Sequence, residues 1–90
     1  MAVDMVVTIR LAGGQFGDPE SIMRLDEAVR GALKGEVDAI TVDIKGLEEV
    51  TEEGWRALDN SQRRRPEKVE LIGLGHHPGR PEHLRQRCAA

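Results

Sequence analysis

The chain has 90 residues, 39% hydrophobic and 32% charged, with a net charge of -3, one Trp, one Phe and no Tyr. That length is one domain, and a domain so small buries only about 60–65% of the surface its unfolded chain exposes, so modest stability is expected. The acidic balance excludes a general nucleic-acid binder, and the composition is that of a folded chain rather than a disordered one.

With so few aromatics, the core must come from Val, Ile, Leu, Met and Ala. A single cysteine, Cys88, leaves no internal disulfide. Residues 1–5 hold no basic stretch leading into an apolar run, so they do not read as a signal peptide. No apolar segment approaches the about 18–20 residues that span a bilayer. The expectation is a cytoplasmic protein that contacts neither membrane nor nucleic acid.

In residues 3–11, Val7, Ile9 and Leu11 alternate with Thr8 and Arg10. A period of two predicts a strand with one covered face. Glycines at 13, 14 and 17 predict a turn or bulge that ends it. Asp18-Pro19-Glu20 predicts a helix start, with Asp18 as N-cap, Pro19 at the first helical position and Glu20 facing the positive dipole end. Ile22, Leu25, Val29 and Ala32 or Leu33 then recur at helical spacing, and Gly35 stands where a left-handed C-cap is expected.

Residues 38–44 alternate again, Ile40, Val42 and Ile44 against Thr41 and Asp43, and predict a second strand ended by Lys45-Gly46. A second helix is expected from near Thr51 to before Pro66, with Trp55 and Leu58 on one face, Ala57 beside them and only weak amphipathicity. The run Arg63-Arg64-Arg65 has no aromatic neighbours for base stacking and suits a helix C-terminus. Residues 69–74 predict a third strand, and residues 82–87 one or two terminal helical turns. Strands alternating with helices make this an α/β chain with parallel strands and right-handed crossovers.

The chemistry-bearing residues form no recognisable catalytic set. Gly13, Gly14 and Gly17 precede a helix, but no Gly-Lys-Ser/Thr follows and Asp18 would repel a phosphate, so they read as a turn. His76, His77, His83 and Cys88 lack zinc-ligand spacing and read as surface loop residues, so neither metal nor cofactor is expected. Ser21, Ser61 and Cys88 sit on no strand-to-helix elbow, and no acid–base pair stands out. The chain reads as a non-enzyme.

Residues 43–54, Asp-Ile-Lys-Gly-Leu-Glu-Glu-Val-Thr-Glu-Glu-Gly, read as a strand, a loop and a helix start with an acidic tip. Thr51 suits the N-cap, and Glu52 and Glu53 suit the first turn. A helix start explains those acids, but not the whole pattern. That pattern resembles the STAS domain family, the fold of bacterial anti-sigma factor antagonists. Asp43-Ile44-Lys45 resembles the family's strand end Asp-Leu-Ser, and Thr51-Glu52-Glu53-Gly54 falls at its Asp-Ser-Ser-Gly with the same spacing. Residues 11–18 resemble its turn into the first helix, and residues 69–74 its later strand.

The resemblance implies one domain over residues 1–90, a small mixed but mostly parallel β-sheet of about four strands with three helices. It implies protein binding in transcription regulation by partner switching, with an anti-sigma factor or related regulator as partner. In the family a partner kinase phosphorylates the second serine and so switches binding off. Here Glu53 stands at that position and Glu52 before it, so neither accepts phosphate. A carboxylate carries about one charge against up to about two on phosphoserine, an incomplete imitation. Thr51 aligns with the family's Asp. The implied docking residues are Thr51, Glu52, Glu53, Gly54, Trp55 and Leu58, with Asp18 nearby, and Trp55 is expected to be partly buried. A homodimer is the other assembly allowed. Two alternatives stay open: a STAS-like module whose site has decayed into a structural or oligomerisation element, and a small-ligand-binding domain.

Overall fold

Alternating side chains decide the layers. Parallel pairing of β1 (Val6–Phe16), β2 (Ala39–Val50) and β3 (Val69–Ile72) sets Val7, Ile40 and Val69 in one row and Ile9, Val42 and Leu71 in another. These rows form the apolar face. On the other face Thr8, Thr41 and Glu70 make one row, and Arg10, Asp43 and Ile72 the next. The order β1-β2-β3 sends both crossovers the same way, so right-handed connections place α1 (Pro19–Lys34) and α2 (Glu52–Arg64) together on the apolar face. Arg64 of α2 accordingly reaches Asp26 of α1 at 3.0 Å.

The computed structural model describes residues 5–77, 79–81 and 84. Within them the chain is α/β, with three parallel strands, two α-helices and a 3-10 turn at Leu74–His76. Where a mixed but mostly parallel sheet of about four strands with three helices is expected, the described residues give three strands, all parallel, and two α-helices. The helical turns expected over residues 82–87 fall almost wholly outside the described residues. No helix among the described residues is long and apolar enough to cross a membrane.

Both long strands run through residues that local propensity reads as breaks. β1 continues across Gly13 and Gly14, and β2 across Lys45 and Gly46, because each pairs with the other: Gly13 with Leu47, Gln15 with Glu49, Phe16 with Val50. Pairing keeps both glycines within the ladder, Gly13 at a positive φ of 124° that only the lack of a Cβ makes easy. The register shifts between Arg10 and Ala12, whose partners Asp43 and Gly46 are three residues apart, so the extra residue of the bulge belongs to β2.

The helices follow their signals more closely. Asp18 caps α1, its carboxylate accepting from the Ser21 amide at 3.1 Å and the Ser21 hydroxyl at 2.6 Å. Gly35 departs from expectation: its φ of -81° is extended, not left-handed. The Val37 amide donates to the Gly35 carbonyl at 3.0 Å, turning the chain at once towards β2.

The buried face of α2 is completed by polar side chains, which is why its pattern reads as weak. Leu58 is wholly buried, and Ser61 and Gln62 are buried beside it. The Ser61 hydroxyl donates to the Ala57 carbonyl at 3.0 Å, and Gln62 Nε2 to the Val69 carbonyl at 3.4 Å, tying the helix to β3. Hydrogen bonding is what makes such burial tolerable. Leu58→Ala should lower the unfolding free energy by about 2–5 kcal/mol, read as a shifted urea midpoint at unchanged m-value.

Candidate functional site

β1 and β2 end side by side at Phe16 and Val50, and each chain enters a helix cap within two residues. Thr51 joins the two ends. Its amide donates to the Phe16 carbonyl at 2.9 Å and its hydroxyl donates to the same oxygen at 3.3 Å. The Thr51 oxygen in turn accepts from the Gly54 amide at 3.1 Å, capping α2 as expected.

Two glycines permit this junction. At Gly17, whose φ is 152°, a Cβ would lie 1.6 Å from Thr51 Oγ1, and at Gly54 it would lie 2.4 Å from the Phe16 carbonyl oxygen. Both approaches are far inside van der Waals contact. The Gly of the Thr-Glu-Glu-Gly segment is therefore buried for packing.

Around this junction Glu52 and Glu53 are exposed. Glu52 lies 3.9 Å from Arg56, and Glu53 makes no ion pair or side-chain hydrogen bond among the described residues. Both carboxylates gain from the positive end of the α2 dipole. Trp55 is half-buried, its ring edge-on to His77 with centroids 5.8 Å apart and planes at 81°.

His77, read from the sequence as a surface loop residue, is instead buried, with 6% of its surface exposed. Its Nε2 lies 3.0 Å from the Ile44 carbonyl; since a carbonyl only accepts, the ring donates from that nitrogen. It supplies a donor to β2 just beyond the point where β3 has ended. Trp55 thus stands between two shallow depressions. One, of about 180 Å³, is lined by Glu48, Glu49, Val50, His76, His77 and Gly79 beside Trp55. The other, of about 210 Å³, is lined by Glu52, Arg56, Asp59 and Pro81 with Trp55.

Of the residues picked from the sequence, Thr51, Glu52, Glu53 and Trp55 form one exposed or half-exposed patch at the α2 start. Asp18 sits at the neighbouring helix start, exposed and held by Ser21. Leu58 does not belong with them, because it is wholly buried in the core. Glu48, Glu49 and His77 also line the site without a local signal: the acids read as loop, and nothing marks one histidine of a pair as buried. No three His, Cys, Asp or Glu side chains among the described residues gather as metal ligands, and His83 and Cys88 lie outside those residues.

No family model, curated protein or solved structure matches the chain.

The hydrogen bonds from the Ser21 hydroxyl and amide hold the Asp18 carboxyl below its ordinary pKa of 3.8. A lowered folded-state value means that the stabilising effect is complete above the unfolded value and is lost as pH falls through the folded one. The stability gap between the natural chain and Asp18→Ala should therefore be constant near neutrality and narrow below pH 3.8, as urea midpoints across pH will record.

Replacing His77 removes the donor to Ile44 and uncovers one side of Trp55. His77→Ala should cost about 1–3 kcal/mol and move the tryptophan emission towards that of the unfolded chain. An emission maximum identical to the natural protein's would show that Trp55 is shielded by something else.

Proposed function

We propose that the chain is a STAS-like protein-interaction domain that docks a regulatory partner, of the anti-sigma factor kind, through the start of α2. The observation that carries this reading is the junction at Thr51. One hydroxyl bonds the end of β1 and caps α2, and around it stand Glu52, Glu53 and Trp55, accessible and held on a rigid frame. Accessible polar residues next to a half-buried indole, rimmed by shallow depressions, are what a protein partner grips.

Glu52 and Glu53 stand where the family carries its serines, so this domain docks without a phosphorylation switch. Thr51 is no substitute acceptor, because its hydroxyl is spent on the Phe16 carbonyl and the Gly54 amide. The charge on the patch is permanent at neutral pH and sets its affinity for a cationic partner surface through the rate of encounter.

The reading is tested by capture from native lysate with the natural chain and with Glu52→Ser, Glu53→Ser, followed by mass spectrometry. An ATP-binding anti-sigma regulator should be enriched, and the double substitution should change its affinity about tenfold or create a phosphorylation site. If the same partners are captured in the same amounts with both forms, and no phosphate is added, the α2 start is not the docking surface.

A further inference from the structure

β1 is the outermost strand of the sheet, and its outer edge is unpaired among the described residues. Which backbone groups face outward follows from two bonds. The Ile40 amide donates to the Lys68 carbonyl, so Ile40 turns its backbone towards β3. Its neighbour Ala39 therefore turns towards β1, and the Ala39 amide indeed meets the Met5 carbonyl. Alternation then points the N–H and C=O of Met5, Val7, Ile9 and Leu11 at β2, and those of Val6, Thr8 and Arg10 outward.

Edge strands in natural domains are usually blunted by proline, charge, a bulge or shortness. β1 is 11 residues long, contains no proline and has one charge, Arg10, while the bulge sits on β2. Its apolar side chains are also incompletely covered. Ile40 and Val42 on β2 are wholly buried, whereas Val7, Ile9 and Leu11 in the adjoining rows remain half-exposed.

The occupant is indicated by the symmetry of the sequence itself. Val7-Thr8-Ile9-Arg10-Leu11 reads apolar, polar, apolar, polar, apolar about Ile9. An antiparallel pair centred on Ile9 sets Val7 opposite Leu11 and Thr8 opposite Arg10, never Arg10 opposite Arg10. In that register the outward-facing Thr8 and Arg10 form hydrogen-bonded pairs with each other's copy, as an antiparallel ladder requires. Within its own sheet Arg10 stands in register with Asp43 on the same face. The strand is thus complementary to a second copy of itself, the condition for a closed twofold interface.

We propose that two copies of this chain join antiparallel through β1, about a twofold axis at Ile9, into one continuous six-stranded sheet. Val7, Ile9 and Leu11 of each copy then complete a single apolar layer beneath the α1 helices. The interface leaves the α2 start free, so it is independent of docking there, and either can fail without the other.

Sedimentation equilibrium on the full chain tests it. At about 100 μM the protein should weigh twice its 10.0 kDa. Thr8→Pro removes an outward donor only, a position where an edge strand tolerates proline. It should yield a monomer with unchanged circular dichroism. Charge supplies the register test should that variant unfold: Thr8→Arg sets like charges opposite Arg10 and should weaken the dimer several-fold, while Thr8→Glu should tighten it by a similar factor. A natural chain that stays monomeric, or a dimer indifferent to both charge variants, overturns the proposal.

Discussion

The Phe16 carbonyl accepts two hydrogen bonds from Thr51, and much of the fold depends on that meeting. The contact holds the far ends of β1 and β2 together where no third strand reaches, since β3 pairs only with Ile40 to Asp43. It also sets where α2 begins, because the same Thr51 oxygen caps the Gly54 amide. One side chain therefore couples sheet length to helix start. The constraint propagates to sequence: Gly17 and Gly54 flank the contact after the ends of β1 and β2, and a Cβ at either would strike it.

This coupling explains what local sequence could and could not convey. Both helix starts were legible because capping is a short-range matter: Asp18 with Pro19, and Thr51 with two acids behind it, carry their own partners within a turn. The strand ends were not. Gly13 and Gly14 are ordinary turn residues by propensity, and only pairing with a segment more than thirty residues away makes them strand. The same holds for Lys45 and Gly46. Long-range pairing overrides local preference wherever the partner strand continues.

The candidate site divides along the same line. Its positions were legible, because a strand, a short passage and a capped helix start place residues 51–55 at the carboxyl end of the sheet whatever the details. The partial burial of Trp55 was legible too, but the full burial of Leu58 was not. Leu58 shares a helical face with Trp55, yet one is wholly buried and the other half-exposed, since α2 leans on β3 through Gln62 while its first turn lifts over His77. His77 itself lies beyond any local rule. Its burial depends on a carbonyl of Ile44 that β3 stops too early to serve.

The outer flank of β1 and the flank of β2 beyond β3 thus meet the same physical problem with different solutions. Beyond β3, the exposed flank of β2 is closed from within the chain, by an imidazole donor at Ile44 and by Leu74 in the core. The flank of β1 has no such cover among the described residues, and its side chains carry a single charge, Arg10, and no proline to repel another strand. A small domain with a thin aromatic supply gains apolar burial most cheaply by extending a layer it already has. Val7, Ile9 and Leu11 are the unfinished margin of that layer, and a twofold copy finishes it without a new residue. The proposed docking patch at Thr51 then lies away from the proposed twofold contact, at the end of each β1–β2 pair. The proposed self-association and the proposed partner docking therefore call on separate surfaces of one frame.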